Sequence, residues 1–160
     1  MRRTKLILAT VALAVPVTLL VHLRSVKGSE PPGRLVVSAD GLAVTDTVTK
    51  LLWQIAVNST DNGQGAAVSY CSTLNLESTT GWRLPTVKEL ASIVDYESPT
   101  SPMIDTAAFG IAPTSNPYAT STIVPAGGQA YAVSFATGLI TTVATGYPGG
   151  PSWRCVHTAP

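Results

Sequence analysis

The residue types that carry most enzymatic chemistry are scarce in this sequence. It contains two cysteines and two histidines, and His157 is the histidine that lies beyond the apolar N-terminal segment. A Ser-His-Asp triad requires a histidine held by its partners, and His157 stands close to the C-terminal end. A structural zinc site needs four cysteine or histidine ligands, which this part of the chain does not supply. The sequence therefore predicts a protein that is not an enzyme and has neither a cofactor nor a metal site.

Three acidic residues leave one cation site open as an alternative. Asp95, Glu97 and Asp105 lie close together in sequence, and hard cations such as calcium bind several carboxylate oxygens. The favoured interpretation is structural: Asp95 ends a helical region, and Asp105 caps the turn before Ala107-Ala108-Phe109.

The candidate ligand contacts are polar or aromatic residues in proline- and glycine-rich stretches. Proline-restricted loops present side chains at low entropic cost, which favours exposed contacts at Asn116, Tyr118 and Tyr147. The tryptophans instead stand within apolar runs, so we expect them to pack in the core; they are Trp53, Trp82 and Trp153.

Arginine adjoins two of those tryptophans. We expect Arg83 and Arg154 to form interior ion pairs with Glu89 or Asp95, with phosphate recognition as the less favoured use.

Two amphipathic segments and several short extended runs position these residues. Apolar residues at helical spacing predict a first helix over 64–74, whose inner face includes Cys71. A capping box of Thr86 and Glu89 predicts the start of a second helix, with Val87, Leu90, Ala91 and Val94 as its buried stripe. Short strands are predicted at 35–37, 42–44 and 51–53.

The second half of the sequence changes character after Tyr96. Residues 97–128 contain five prolines and little periodicity, which predicts a long irregular excursion. Alternating residues from Tyr131 to Phe135, then Thr137-Gly138 and residues 139–143, predict a hairpin. A last strand is predicted over 153–157.

The two cysteines are predicted to form a disulfide. Cys71 is expected on the inner face of the first helix and Cys155 in the last strand, and the basic and apolar N-terminal segment predicts export to a compartment that permits oxidation. Closing a loop of this length should contribute about 4 to 5 kcal/mol. A redox pair would favour a C-x-x-C spacing, which is absent.

The N-terminal segment is predicted to export the chain. Residues 1–5 carry three positive charges and residues 6–21 carry none, which is typical of a signal peptide cut near Gly28 or of an uncut membrane anchor. Residues 29–34 then form a linker, and 35–160 form one domain. From Ser29 onward, five basic residues stand against nine acidic ones, a net charge of −4 that opposes nucleic-acid binding. We expect an extracytoplasmic location, secreted, periplasmic or at the cell surface, with membrane contact only through 6–21.

Several motifs occur together in the order seen in one known family. From Leu35 to Val156 the chain resembles the Lcl C-terminal domain family (DUF1566), which is found in many bacterial secreted and surface proteins. It departs from the family at Lys50, where glycine is usual, and at Tyr118–Thr122, which lacks the usual tryptophan. The main matching pieces are Leu51-Leu52-Trp53-Gln54, Tyr70-Cys71, Trp82-Arg83-Leu84-Pro85-Thr86, Glu89-Leu90, Val133, Phe135 and Arg154-Cys155-Val156.

This resemblance implies an α+β, C-type-lectin-like fold: two helices, a long irregular loop region and a small antiparallel sheet. It favours a non-enzymatic adhesion module that binds a glycan or a protein at the cell surface through residues 97–128. One alternative is a membrane-anchored structural subunit of an envelope or surface assembly. Another is a degenerate enzyme of the formylglycine-generating type, which requires reactive thiols.

Overall fold

The computed structural model describes residue 31 and residues 33–59, 63–76, 78–146 and 150–158. Its strands are β1 (Leu35–Val37), β2 (Ala43–Asp46), β3 (Leu51–Gln54), β4 (Asn58–Ser59), β5 (Tyr118–Ile123), β6 (Gln129–Val133), β7 (Ile140–Ala144), β8 (Ser152–Trp153) and β9 (Val156–Thr158). Its helices are α1 (Gly63–Thr73), α2 (Val87–Ala91) and α3 (Thr106–Phe109).

The described chain is built mainly from two β-sheets. The first sheet has four antiparallel strands in the order β1-β2-β3-β9. The second has five in the order β4-β8-β5-β6-β7, with β8 and β5 parallel. The predicted α+β, C-type-lectin-like fold with two main helices is therefore wrong, because α1 has 11 residues but α2 has five and α3 has four.

The predicted irregular excursion over 97–128 contains an interior strand of the second sheet. β5 pairs with β6 on one side and β8 on the other, and its residues Tyr118, Ala119 and Thr120 are buried. Its sequence, YATSTI, lacks a clear polar and apolar alternation. Contacts on both sides hold the strand in place, and these contacts are not encoded by its local periodicity.

The local signals for the two longer helices are confirmed. Ala67 and Cys71 of α1 are fully buried. At the start of α2 the Thr86 hydroxyl accepts a hydrogen bond from the backbone N–H of Glu89, while the Glu89 carboxylate accepts one from the N–H of Thr86. The second helix is shorter than its predicted stripe, since it ends at Ala91 and leaves Val94 buried beyond it.

The predicted last strand is divided between the two sheets. Ser152–Trp153 belongs to the second sheet and Val156–Thr158 to the first, so the chain crosses over at Arg154 and Cys155. Gln54 secures this crossing, because its backbone N–H donates to the Cys155 carbonyl at 3.0 Å and its side-chain oxygen accepts from the Cys155 N–H at 3.3 Å. Motif residues at the end of β3 and before β9 thus hold the crossing segment against the first sheet.

The predicted disulfide is confirmed. Cys71 and Cys155 are bonded across 84 positions of sequence, with their Cα atoms 5.4 Å apart. The bond lies in one of two core clusters together with Trp82 and Trp153, while Trp53 lies in the other. All three tryptophans are buried, as expected for core packing.

A largely buried ion pair stabilises the first sheet. Arg34 donates to the Asp46 carboxylate at 2.7 Å and to the Ser92 carbonyl at 2.8 Å, which ties this sheet to the end of α2. Burial works to raise the pKa of Asp46, but Arg34 and the N–H groups of Thr49 and Val48 hold it below its usual value.

Lys50 lies in the turn between β2 and β3. It has a φ of 59°, in the left-handed region that favours glycine. This conformation explains why glycine is usual at this position in the family whose motifs the sequence resembles.

Within the described residues, no helix has the length and hydropathy that a membrane span requires. The predicted signal or anchor over 6–21 lies outside those residues.

Candidate functional site

An uncharged groove runs along β7 on the second sheet. It consists of two adjoining hollows, of about 390 Å³ and about 400 Å³, which share Ser115 and Pro117. We call it the hydroxyl groove because six of its fourteen lining residues are serine or threonine. The remaining lining residues are Thr114, Asn116, Ser134, Thr137, Leu139, Ile140, Thr141, Thr142, Val143, Ala144, Gly150 and Pro151.

The β6–β7 hairpin holds one wall of this groove. Its turn closes through hydrogen bonds from the N–H of Gly138 to the Ser134 carbonyl at 2.7 Å and from the N–H of Ser134 to the Leu139 carbonyl at 2.9 Å. Gly138 has a φ of 71°, and a side chain there would press on Tyr96 and Met103. The turn therefore requires glycine both for its backbone conformation and for the close approach of its neighbours.

The opposite wall of the groove adjoins a part of the core that contains a buried arginine. Pro117 precedes Tyr118, whose ring is fully buried and meets Phe135 edge to face at 4.8 Å. Arg154 is also fully buried, lies 5.0 Å from the Phe109 ring centre and donates to the carbonyl oxygens of Gln54 and Ile55.

The electrostatics of this core follow from its burial. Burial lowers the pKa of Arg154 to about 10, against the opposing effect of Tyr118. Burial likewise raises the pKa of the Tyr118 hydroxyl, against the Arg154 charge. The expected interior pair of Arg154 with Glu89 or Asp95 is wrong, because main-chain carbonyl oxygens take the place of a carboxylate.

The predicted ligand contacts separate into three cases. Asn116 is half-buried in the wall of the hydroxyl groove, where its ligand-binding role stays a prediction. Tyr118 is corrected to a core residue, because the start of β5 turns its ring into the space beside Phe135. Tyr147 lies outside the described residues.

The conspicuous motif around Trp82 does not line the groove. Arg83 donates twice to the Glu89 carboxylate, at 2.8 Å and 2.6 Å. This pair was expected in the interior, but its side chains are 43% and 22% exposed. The Arg83 hydrogen bonds, aided by the Thr86 contacts, lower the pKa of Glu89 to about 2. The motif thus stabilises the start of α2.

Asp105 is a helix cap, as the favoured interpretation expected, whereas Asp95 lies four residues beyond the end of α2 and supports the turn that follows. Asp105 accepts from the N–H groups of Ala107 and Ala108 at the start of α3, and Asp95 accepts from the N–H of Glu97 at 3.0 Å. Among the described residues, no cluster of histidine, cysteine and acidic side chains could hold a metal ion. His157 packs on Trp82 at 5.8 Å between ring centres.

Most residues of the hydroxyl groove were missed by sequence reasoning. Ser115, Thr141 and Thr142 come from segments far apart in sequence, and serine and threonine are common in turns and exposed strands. The available signal was the lack of charge: no aspartate, glutamate, lysine, arginine or histidine occurs from Thr106 to Gly150.

Comparisons with known proteins agree with the motif order. The family model described as Lcl C-terminal domain matches residues 42–157. A search of curated proteins finds no match.

Proposed function

The chain belongs to the Lcl C-terminal domain family, and we propose that it is a non-enzymatic module that binds a glycan or a protein outside the cytoplasm. The family is one of bacterial extracellular and surface domains. The disulfide agrees with that setting, since such bonds persist in oxidising compartments.

The chemistry of the hydroxyl groove supports this function. Its walls offer serine, threonine and asparagine hydrogen-bonding groups beside proline, leucine and isoleucine side chains. A ligand that combines hydroxyl or amide groups with apolar faces complements such walls. A sulfated or phosphorylated ligand does not, because no cation in the groove would offset its charge.

The same lining disfavours catalysis. None of the residues that line the two hollows is titratable, so no lining side chain can act as a general acid or base. The degenerate-enzyme alternative requires thiols, and both cysteines of the chain are joined in the disulfide.

Blocking the groove tests the proposal. The purified protein would be probed with an array of neutral glycans and an array of uncharged peptides. We expect Thr141→Trp, which places a large ring in one hollow, to lower binding of the retained probes by about tenfold or more. Val48→Trp is the matched control, because Val48 is 60% exposed in the turn after β2 on the first sheet. Binding to neither array, or equal loss in both variants, would contradict the groove as the binding site.

The membrane-anchored structural subunit is the second candidate. It depends on residues 6–21 remaining attached, and mass spectrometry of the protein isolated from cells measures this directly. An N-terminus near Ser29 would remove the anchor and, with it, this candidate.

A further inference from the structure

Among the described residues, β7 is an edge strand of the second sheet, and the N–H of Gln64 donates to the Thr145 carbonyl just beyond its end. It has five residues, pairs with β6 at all five without a register shift, and borders no other strand among the described residues. The other sheet edges in that part of the chain, β1, β4 and β9, have only two or three residues each. Proteins usually guard long edges with charge, proline or a bulge, and the ITTVA sequence of β7 has none of these.

The register shows which backbone groups of β7 face outward. At the two ends of the hairpin, the Leu139 carbonyl accepts from the N–H of Ser134 at 2.9 Å, and the N–H of Thr145 donates to the Gly128 carbonyl at 3.0 Å. Antiparallel pairing alternates, so the residues two positions inward, Thr141 and Val143, also bond towards β6. The backbone N–H and C=O groups of Thr142 and its even-numbered neighbours therefore point away from the sheet.

The hydroxyl groove lies along this same edge strand. One hollow contacts residues 139–141 and the other residues 142–144, so the two follow each other in the strand direction. Side chains of an added strand that point to one face recur every second residue. An extended segment paired with β7 would therefore run past both hollows, and different same-face side chains of it would lie beside each one.

We propose that the ligand is an extended, uncharged polypeptide segment of a partner protein, which pairs with β7 as a sixth strand of this sheet. Main-chain hydrogen bonds to Thr142 and its even-numbered neighbours hold the segment, and the two hollows select its side chains. The segment is uncharged because the groove offers no counter-charge. This assignment, which rests on the proposed binding function, favours a peptide over a glycan because a regular row of backbone donors and acceptors matches a strand.

Hydrogen exchange distinguishes strand pairing from other kinds of binding. Peptides would be selected from a displayed library of random seven-residue sequences without charged residues, and the best one synthesised with blocked ends. On adding it to the purified protein, we expect the amides of Thr142 and Ala144 to exchange at least about tenfold more slowly. The amide of Val143 should change little, because it already bonds to β6.

A backbone substitution gives a second readout. Thr142→Pro removes one outward N–H, and an edge position with its N–H towards solvent tolerates proline. We expect it to weaken peptide binding by about tenfold or more. Thr142→Val removes the same hydroxyl but keeps the N–H, so it should weaken binding several-fold less than Thr142→Pro does, and equal losses in the two variants would overturn strand pairing at this residue. Both variants should melt close to the wild-type temperature, and the exchange pattern decides the matter if Thr142→Pro does not fold.

The outcomes separate this assignment from the proposed function. Alternating protection on β7 supports strand addition. Peptide binding without that alternation, or binding of neutral glycans alone, overturns strand addition while leaving a binding groove. The absence of any peptide or glycan ligand overturns both.

Discussion

Removing the disulfide should lower the free energy of unfolding by an amount that depends on the length of the loop that the bond closes. Cys71 and Cys155 are 84 positions apart, and the chain-entropy relation for a loop of that length yields about 4.5 kcal/mol. Unfolding entropy is about 2.1 cal/mol/K per residue, or about 0.26 kcal/mol/K over residues 34–158. The ratio predicts a fall in Tm of about 17 °C for Cys71→Ala/Cys155→Ala.

Thermal unfolding followed by circular dichroism measures this change. The wild-type protein should lose a similar amount of stability when reductant is added, whereas the double variant should be insensitive to reductant. Without reductant, denatured wild-type protein should resist alkylation at both cysteines. If Tm fell by less than about 5 °C, the loop-entropy reasoning would be refuted, because the unfolded chain would then gain little freedom from losing the bond.

Lys50→Gly should stabilise the protein by about 0.5 to 1 kcal/mol, because glycine adopts the left-handed backbone conformation at this position without strain. Urea unfolding measures this change, and Lys50→Ala is the control that should bring no such gain. The pKa of Glu89, about 2 in the folded protein against 4.5 ordinarily, means that its contribution is present above about pH 4.5 and is lost as the pH falls towards 2. Glu89→Gln should therefore flatten the acid limb of the stability profile; an unchanged limb would count against the Arg83 pair. Gly63→Ala should cost at least about 2 kcal/mol more than Gly41→Ala. Both glycines have positive φ, but only a side chain at Gly63 would collide with the Thr145 carbonyl, so equal melting temperatures would argue against that close approach.

Local sequence signals predicted the parts of the fold that depend on neighbouring residues. The capping box at Thr86 and the apolar face that carries Cys71 involve contacts within one or two helical turns, and both are present. The prediction failed for β5 and for the last strand. Their places depend on partners between 11 and about 100 positions away, as the contacts of Thr120 with Tyr131 and of Arg154 with Gln54 show.

The candidate site was less predictable than the fold. Asn116 was named from its proline-rich surroundings and lies in the groove, whereas the same reasoning failed at Tyr118, two residues later. A residue beside a proline can face solvent or the core. Which of the two it faces depends on how the strand that follows pairs in its sheet. The groove wall formed by Thr141 and Thr142 has no distinctive local pattern.

The sequence by itself determined the family, the buried tryptophans and the helix cap, because each depends on residue type and on motifs of short range. It also determined the pairing of Cys71 with Cys155, because two cysteines allow a single pairing. Only the tertiary structure decided that the chain crosses from the second sheet back to the first at Arg154, and that an uncharged groove lies along β7, an edge strand among the described residues. Strand pairing is a long-range choice among many similar short segments. It is settled by the mutual burial of distant residues, which no window along the sequence contains.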